Sequence, residues 1–95
     1  MIRHIVFFKV KEECKDSIPE LVEQFRAMKG KIESLIYLEV GIDFLHSPRS
    51  FDVSLAATFA TKEDLDAYQI NPIHVAAKTA MASICETIYS VDYEL

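Results

Sequence analysis

The stretch LIYLEVGIDFLHSPRSFDVSLAATF, Leu35 to Phe59, holds two alternating runs around a polar turn. In the first, Ile36, Leu38, Val40, Ile42 and Phe44 share one face, and Tyr37, Glu39, Gly41 and Asp43 share the other. In the second, Phe51, Val53, Leu55, Ala57 and Phe59 lie opposite Asp52, Ser54, Ala56 and Thr58. A period of two marks a strand that buries one face. Ser47-Pro48 between the runs is a turn signal. Runs 35–44 and 51–59 therefore predict an antiparallel hairpin.

Upstream, IRHIVFFKV (2–10) is rich in β-branched and aromatic residues and predicts a strand. It is apolar on both faces: Ile2, Val6, Phe8 and Val10 on one, Ile5 and Phe7 on the other. KEECKD (11–16) reads as a polar connection. Ser17 then has the place of a helix N-cap, with Pro19 in the first turn and Glu20 at the capping-box position. Ile18, Leu21, Val22, Phe25, Met28 and Ile32 follow at helical spacing.

Downstream of the hairpin, Thr61 and Asp64 predict the start of a short helix, about 62–70. Asn71-Pro72 restarts it, with Asn as the cap and Pro at the first helical position. An Ala-rich helix follows, about 72–83. ETIYSVDYEL (86–95) closes the chain as a strand, with Tyr89, Val91, Tyr93 and Leu95 on one face. The order β-α-β-β-α-α-β is the split βαβ pattern: an α+β, ferredoxin-like fold with four antiparallel strands and its second helix broken in two. Helices cover one sheet face. The two-sided first strand leaves the other face apolar, so a second copy of the chain is expected to cover it as a two-fold homodimer.

The 95 residues suit one domain, residues 1–95, and the scaling of surface with mass buries roughly two-thirds of the chain's surface. Half the residues are hydrophobic (51%) and only 2 are Gly, which excludes a disordered chain. The net charge of -5, with no Lys/Arg run, argues against nucleic acid and against an anionic membrane as partners. No apolar run approaches the length of a membrane span, and the first ten residues suit a buried strand better than a signal peptide. A cytoplasmic protein is expected, with Cys14 and Cys85 as free thiols. There is no glycine-rich phosphate loop, HExxH or cysteine cluster, so neither metal nor cofactor is expected. Asp and Glu fall mostly at helix surfaces and strand edges, where they are expected to be solvated.

Three histidines and one tyrosine remain to be placed. His4 shares a strand face with Val6 and Phe8, which suits a core-edge histidine held by one hydrogen bond. His46 sits in the hairpin turn and reads as a solvated loop residue. His74 falls at the third position of the helix that Asn71 caps, where the helix field disfavours a positive charge. A neutral imidazole there can accept a proton. Tyr68 ends the preceding helix and is expected at the same corner, where its hydroxyl is a donor for a carbonyl or enolate oxygen. Spacing alone fits a structural joint better, with Tyr68 filling the core and His74 bracing the break.

HIVFFKVKEE, LEVGIDF followed by RSFDVSLAATF, LDAYQINPIHVAAK and SVDYEL, in this order over essentially the whole chain, resemble the stress-response A/B barrel (Dabb) domain family. YQ-x-x-P-x-H is the most specific of these motifs. The resemblance implies a ferredoxin-like protein whose two copies pack sheet to sheet into a dimeric α+β barrel. Many members have no assigned activity. One plant member is a polyketide cyclase, which closes a linear polyketide by aldol condensation. The resemblance implies an acid–base pair at Tyr68 and His74 and a further pocket histidine at His4. Asn71 stands where the family usually has histidine before the proline. The expected function is binding of a small apolar or carbonyl ligand between sheet and helices through His4, Tyr68 and His74. The alternative is cyclase-like acid–base catalysis by His74 and Tyr68.

Overall fold

A computed structural model describes residues 1–95. Four strands, β1 (Ile2–Val10), β2 (Tyr37–Ile42), β3 (Val53–Phe59) and β4 (Cys85–Glu94), form one sheet in the order β2-β3-β1-β4. Every neighbouring pair is antiparallel. Three α-helices, α1 (Ile18–Arg26), α2 (Lys62–Ile70) and α3 (Pro72–Ala82), cover one face. This is the ferredoxin-like arrangement that the hairpin and the element order predicted.

The core lies between the helices and the even-numbered residues of β1. Ile2, Val6, Phe8 and Val10 are buried there, with Leu38 and Val40 of β2 and the odd-numbered positions of β3 from Val53 to Phe59. α1 presents Ile18, Val22 and Phe25 to them. Phe25 meets Phe8 at 5.7 Å between ring centres.

Several local expectations differ from the structure. KEECKD is not a plain connection: Glu12–Ser17 forms a 3-10 helix that runs directly into α1. Ser17 therefore has helical backbone angles, and its side chain caps nothing. α1 ends at Arg26, although the apolar spacing continues to Ile32. Met28 and Ile32 are buried from the turns that follow, where Gly30 takes a positive φ of 79° that favours glycine. The hairpin strands are shorter than the alternation suggested. Ile36, Phe44 and Phe51 lie outside them, and Phe44 is 89% exposed.

Asp52 is the main exception to solvated carboxylates. It is buried where β3 meets the end of β1. Its Oδ2 accepts the Val10 N–H at 2.8 Å, and Lys15 Nζ lies 3.5 Å from Oδ1. The Val10 N–H is next to an irregularity in the β1–β4 register, and Asp52 satisfies a donor that would otherwise be buried unpaired.

The second sheet face carries no helix. β1 presents Arg3, Ile5, Phe7 and Lys9 there, and β4 presents Thr87, Tyr89, Val91 and Tyr93. Phe51 packs against both Phe7 (5.8 Å) and Tyr89 (5.7 Å), and Tyr89 remains 63% exposed. Arg3 donates to Thr58 Oγ1 at 3.0 Å and lies over the Tyr37 ring. No helix is long and apolar enough to cross a membrane.

Candidate functional site

The site is built on the break between α2 and α3. Thr61 caps α2, its Oγ1 accepting the Asp64 N–H at 3.1 Å. At the far end Asn71 turns extended (φ −65°, ψ 129°). Its Oδ1 accepts the Ile73 N–H at 2.9 Å, and Pro72 supplies the first helical position of α3. In one continuous helix, residues six apart would point about 120° away from each other. Here the break brings Tyr68 and His74 face to face, stacked with ring centres 3.9 Å apart and planes 28° apart.

Tyr68 packs on Phe59 below it at 4.9 Å, and His4 of β1 meets its edge at 6.2 Å. The structure thus brings together His4, Tyr68 and His74, all three of which were legible as candidates. His46 stays apart. It is exposed in the hairpin loop at φ 54°, with its N–H on Asp43 Oδ2 at 2.7 Å.

A cleft of about 390 Å³ opens against this corner. Val6 and Phe8 of β1 line it, with Ile88 and Ser90 of the edge strand β4, both of which remain exposed. α3 supplies the opposite wall with Lys78 and Thr79. The cleft lies between sheet and helices, as the sequence led us to expect.

Two polar atoms at the corner are buried and have no hydrogen-bond partner: Tyr68 Oη and His74 Nδ1. Tyr68 is 0% exposed and His74 4%. Such groups normally find partners in a folded core. Burial raises the Tyr68 pKa well above that of a free phenol, so the hydroxyl stays a donor. The His74 pKa is pushed down from 6.5 to about 4, first by burial and next by the Lys78 ammonium, with the Gln69 and Tyr68 backbone pulling it partly back. The shift has the direction expected from the helix N-terminus, but desolvation is its leading cause.

The depressed pKa has a consequence for stability. The unfolded chain protonates His74 near 6.5 and the folded chain only near 4. Between those values the unfolded state holds more protons, so acidification through this window removes stability, by up to about 3 kcal/mol. Urea unfolding at a series of pH values should show this loss, and His74→Leu should flatten the slope relative to the parent chain.

One site residue was missed from the sequence. Asp92 of β4 is the cross-strand partner of His4, and its carboxylate pairs with His4 Nδ1. The β1–β4 ladder joins the fourth residue of the chain to the fourth from its end. Pairing the first and last strands antiparallel from their termini would have found it. Asp92 fixes the His4 ring in its plane beside Tyr68. Cys14 and Cys85 are both unpaired. Burial, and then Asp52, push the Cys85 thiol up to about 11, which keeps it protonated and unreactive.

The sequence profile of the stress responsive A/B barrel domain matches residues 2–95. The chain belongs to that family. Among curated relatives it is 32% identical over 105 residues to the stress-response A/B barrel domain-containing protein DABB1 of Arabidopsis thaliana. That alignment covers 98% of this chain but 46% of the plant protein, so the chain spans about half of that relative. It is also 29% identical over 97 residues to an uncharacterized protein of Streptomyces coelicolor, covering 99% of both. Among solved structures, a dimeric ferredoxin-like protein of unknown function from Bacteroides fragilis superposes with a TM-score of 0.87 at 29% identity, over 99% of this chain and 95% of that one. The hydroxynitrile lyase of Passiflora edulis superposes with a TM-score of 0.83 at 20% identity, over 99% and 92% of the two chains. That second likeness is one of fold alone.

Proposed function

We propose that this member of the family is a homodimer that binds a small carbonyl compound in the cleft between sheet and helices. The observation that carries the reading is the pair of unpartnered buried atoms, Tyr68 Oη and His74 Nδ1, on two stacked rings that line one apolar cleft. A ligand carbonyl oxygen supplies the acceptor that the Tyr68 hydroxyl lacks. The cleft is at the small end of the range for ligand sites, which suits a compact, mostly apolar molecule. The dimer is supported by the uncovered apolar sheet face and by the dimeric relative from Bacteroides fragilis. Arg3 is already bonded to Thr58 and stacked on Tyr37, so it can be covered without losing its partners.

A second reading, acid–base catalysis of an aldol-type ring closure, is favoured by the neutral imidazole next to a phenol donor. His74 takes a proton from the carbon beside the carbonyl, and the enolate oxygen rests on the Tyr68 hydroxyl. The enolate carbon then forms the new C–C bond to a second carbonyl, and the resulting alkoxide recovers the proton from His74. His4, held by Asp92, lines the same cleft.

Acetophenone, titrated into the dimer and followed by NMR, tests both readings. Binding should move the Tyr68 and His74 ring signals, and Tyr68→Phe should weaken it. In heavy water the catalytic reading adds faster deuterium uptake at the ketone's methyl group, lost in His74→Ala. Binding without such uptake leaves the binding reading alone. If the ketone moves neither ring signal, both readings fail.

A further inference from the structure

Lys78 is one turn of α3 beyond His74, lines the same cleft and is itself exposed. It takes part in none of the ion pairs of the fold. An unpaired ammonium at the mouth of an apolar cleft, on a chain of net charge -5, is a local reversal of the overall field. The other end is closed by the buried Tyr68 and His74, and His4 is already paired with Asp92. An anionic group directed inward would be desolvated there with no cation to receive it. Directed outward, it meets Lys78 and stays partly hydrated.

We propose that the natural ligand is a carbonyl compound that also carries a carboxylate, with the carbonyl inward at Tyr68 and His74 and the carboxylate outward at Lys78. The proposal rests on the reading of this cleft as a carbonyl site and adds the class and orientation of its occupant. Lys78 follows His74 by about one helical turn, on the order of 5 Å along the α3 backbone, and a keto acid with a few bonds between its functional groups suits that spacing. Val6, Phe8 and Ile88 hold the apolar body between them. A phosphate would need several convergent donors, and this rim offers a single cation, so a carboxylate is the better match.

Paired NMR titrations with benzoylpropionate and its neutral amide test this on the intact protein. The acid should bind about fivefold tighter than the amide, the gain expected of one partly solvated ion pair. Lys78→Gln should abolish that preference and Lys78→Arg should keep it. Both variants should fold normally, because Lys78 is exposed. Equal affinity for acid and amide in the parent chain would overturn the carboxylate assignment while leaving the carbonyl site intact. So would a preference that survives Lys78→Gln. If neither compound moves the Tyr68 and His74 signals, the carbonyl site falls and the assignment falls with it.

Discussion

Tyr68→Phe is expected to gain about 1–2 kcal/mol of stability, because it removes a buried hydroxyl that has no partner. The ring keeps its stacking on His74 and its contact with Phe59, so no cavity opens. For a chain of this size the melting temperature should rise by about 4–8 °C per kcal/mol. The same substitution should cost roughly tenfold in affinity for a ketone, the worth of one hydrogen bond in a desolvated pocket. Opposite signs in stability and binding are what a functional hydroxyl produces. A tyrosine retained only for packing would lose nothing in binding. Tyr68→Ala provides the contrast: it empties a fully buried site and should cost about 3–5 kcal/mol. Thermal unfolding and a ketone titration on the two variants provide all of these quantities.

The second large effect concerns the dimer. The double substitution Tyr89→Asp and Val91→Asp places two carboxylates on the uncovered face of β4, beside Phe7 and Ile5 of β1. In a sheet-to-sheet dimer those charges are buried without partners, a cost of several kcal/mol for each chain. The variant should run as a monomer in sedimentation or light scattering, whereas the parent chain should run at twice its mass. Its circular dichroism should be unchanged, since Tyr89 and Val91 point away from the helix-covered core. A parent chain of monomer mass at micromolar concentration would contradict the dimer.

Much of this was legible in the sequence because the deciding signals were local. The span of β1 follows from its β-branched and aromatic run, and the Asn71-Pro72 joint and the extents of α2 and α3 from caps within three residues. What the sequence hid was set by non-local contacts. The α1 spacing ran on to Ile32 because the turns after Arg26 still bury Met28 and Ile32 in the core. Phe44 and Phe51 carried the alternation beyond the ends of the strands, one after β2 and one before β3. Asp52 and Asp92 looked like surface carboxylates, since their partners, the Val10 N–H and His4, lie 42 and 88 residues away in the chain. For His74 the helix N-terminus pointed toward a neutral ring, yet the larger cause of the downward shift, burial, needed the tertiary structure. The Lys78 contribution needed it too, although Lys78 is only four residues further along.

The reading of the site stands on a neutral imidazole beside a free phenol, held ready for a carbonyl. An NMR titration of the His74 ring against pH, with and without acetophenone, tests this most directly. The expected result is a midpoint near 4 and a ring signal that moves when the ketone binds. A midpoint at the ordinary 6.5, with a ring signal unaffected by the ketone, would contradict it.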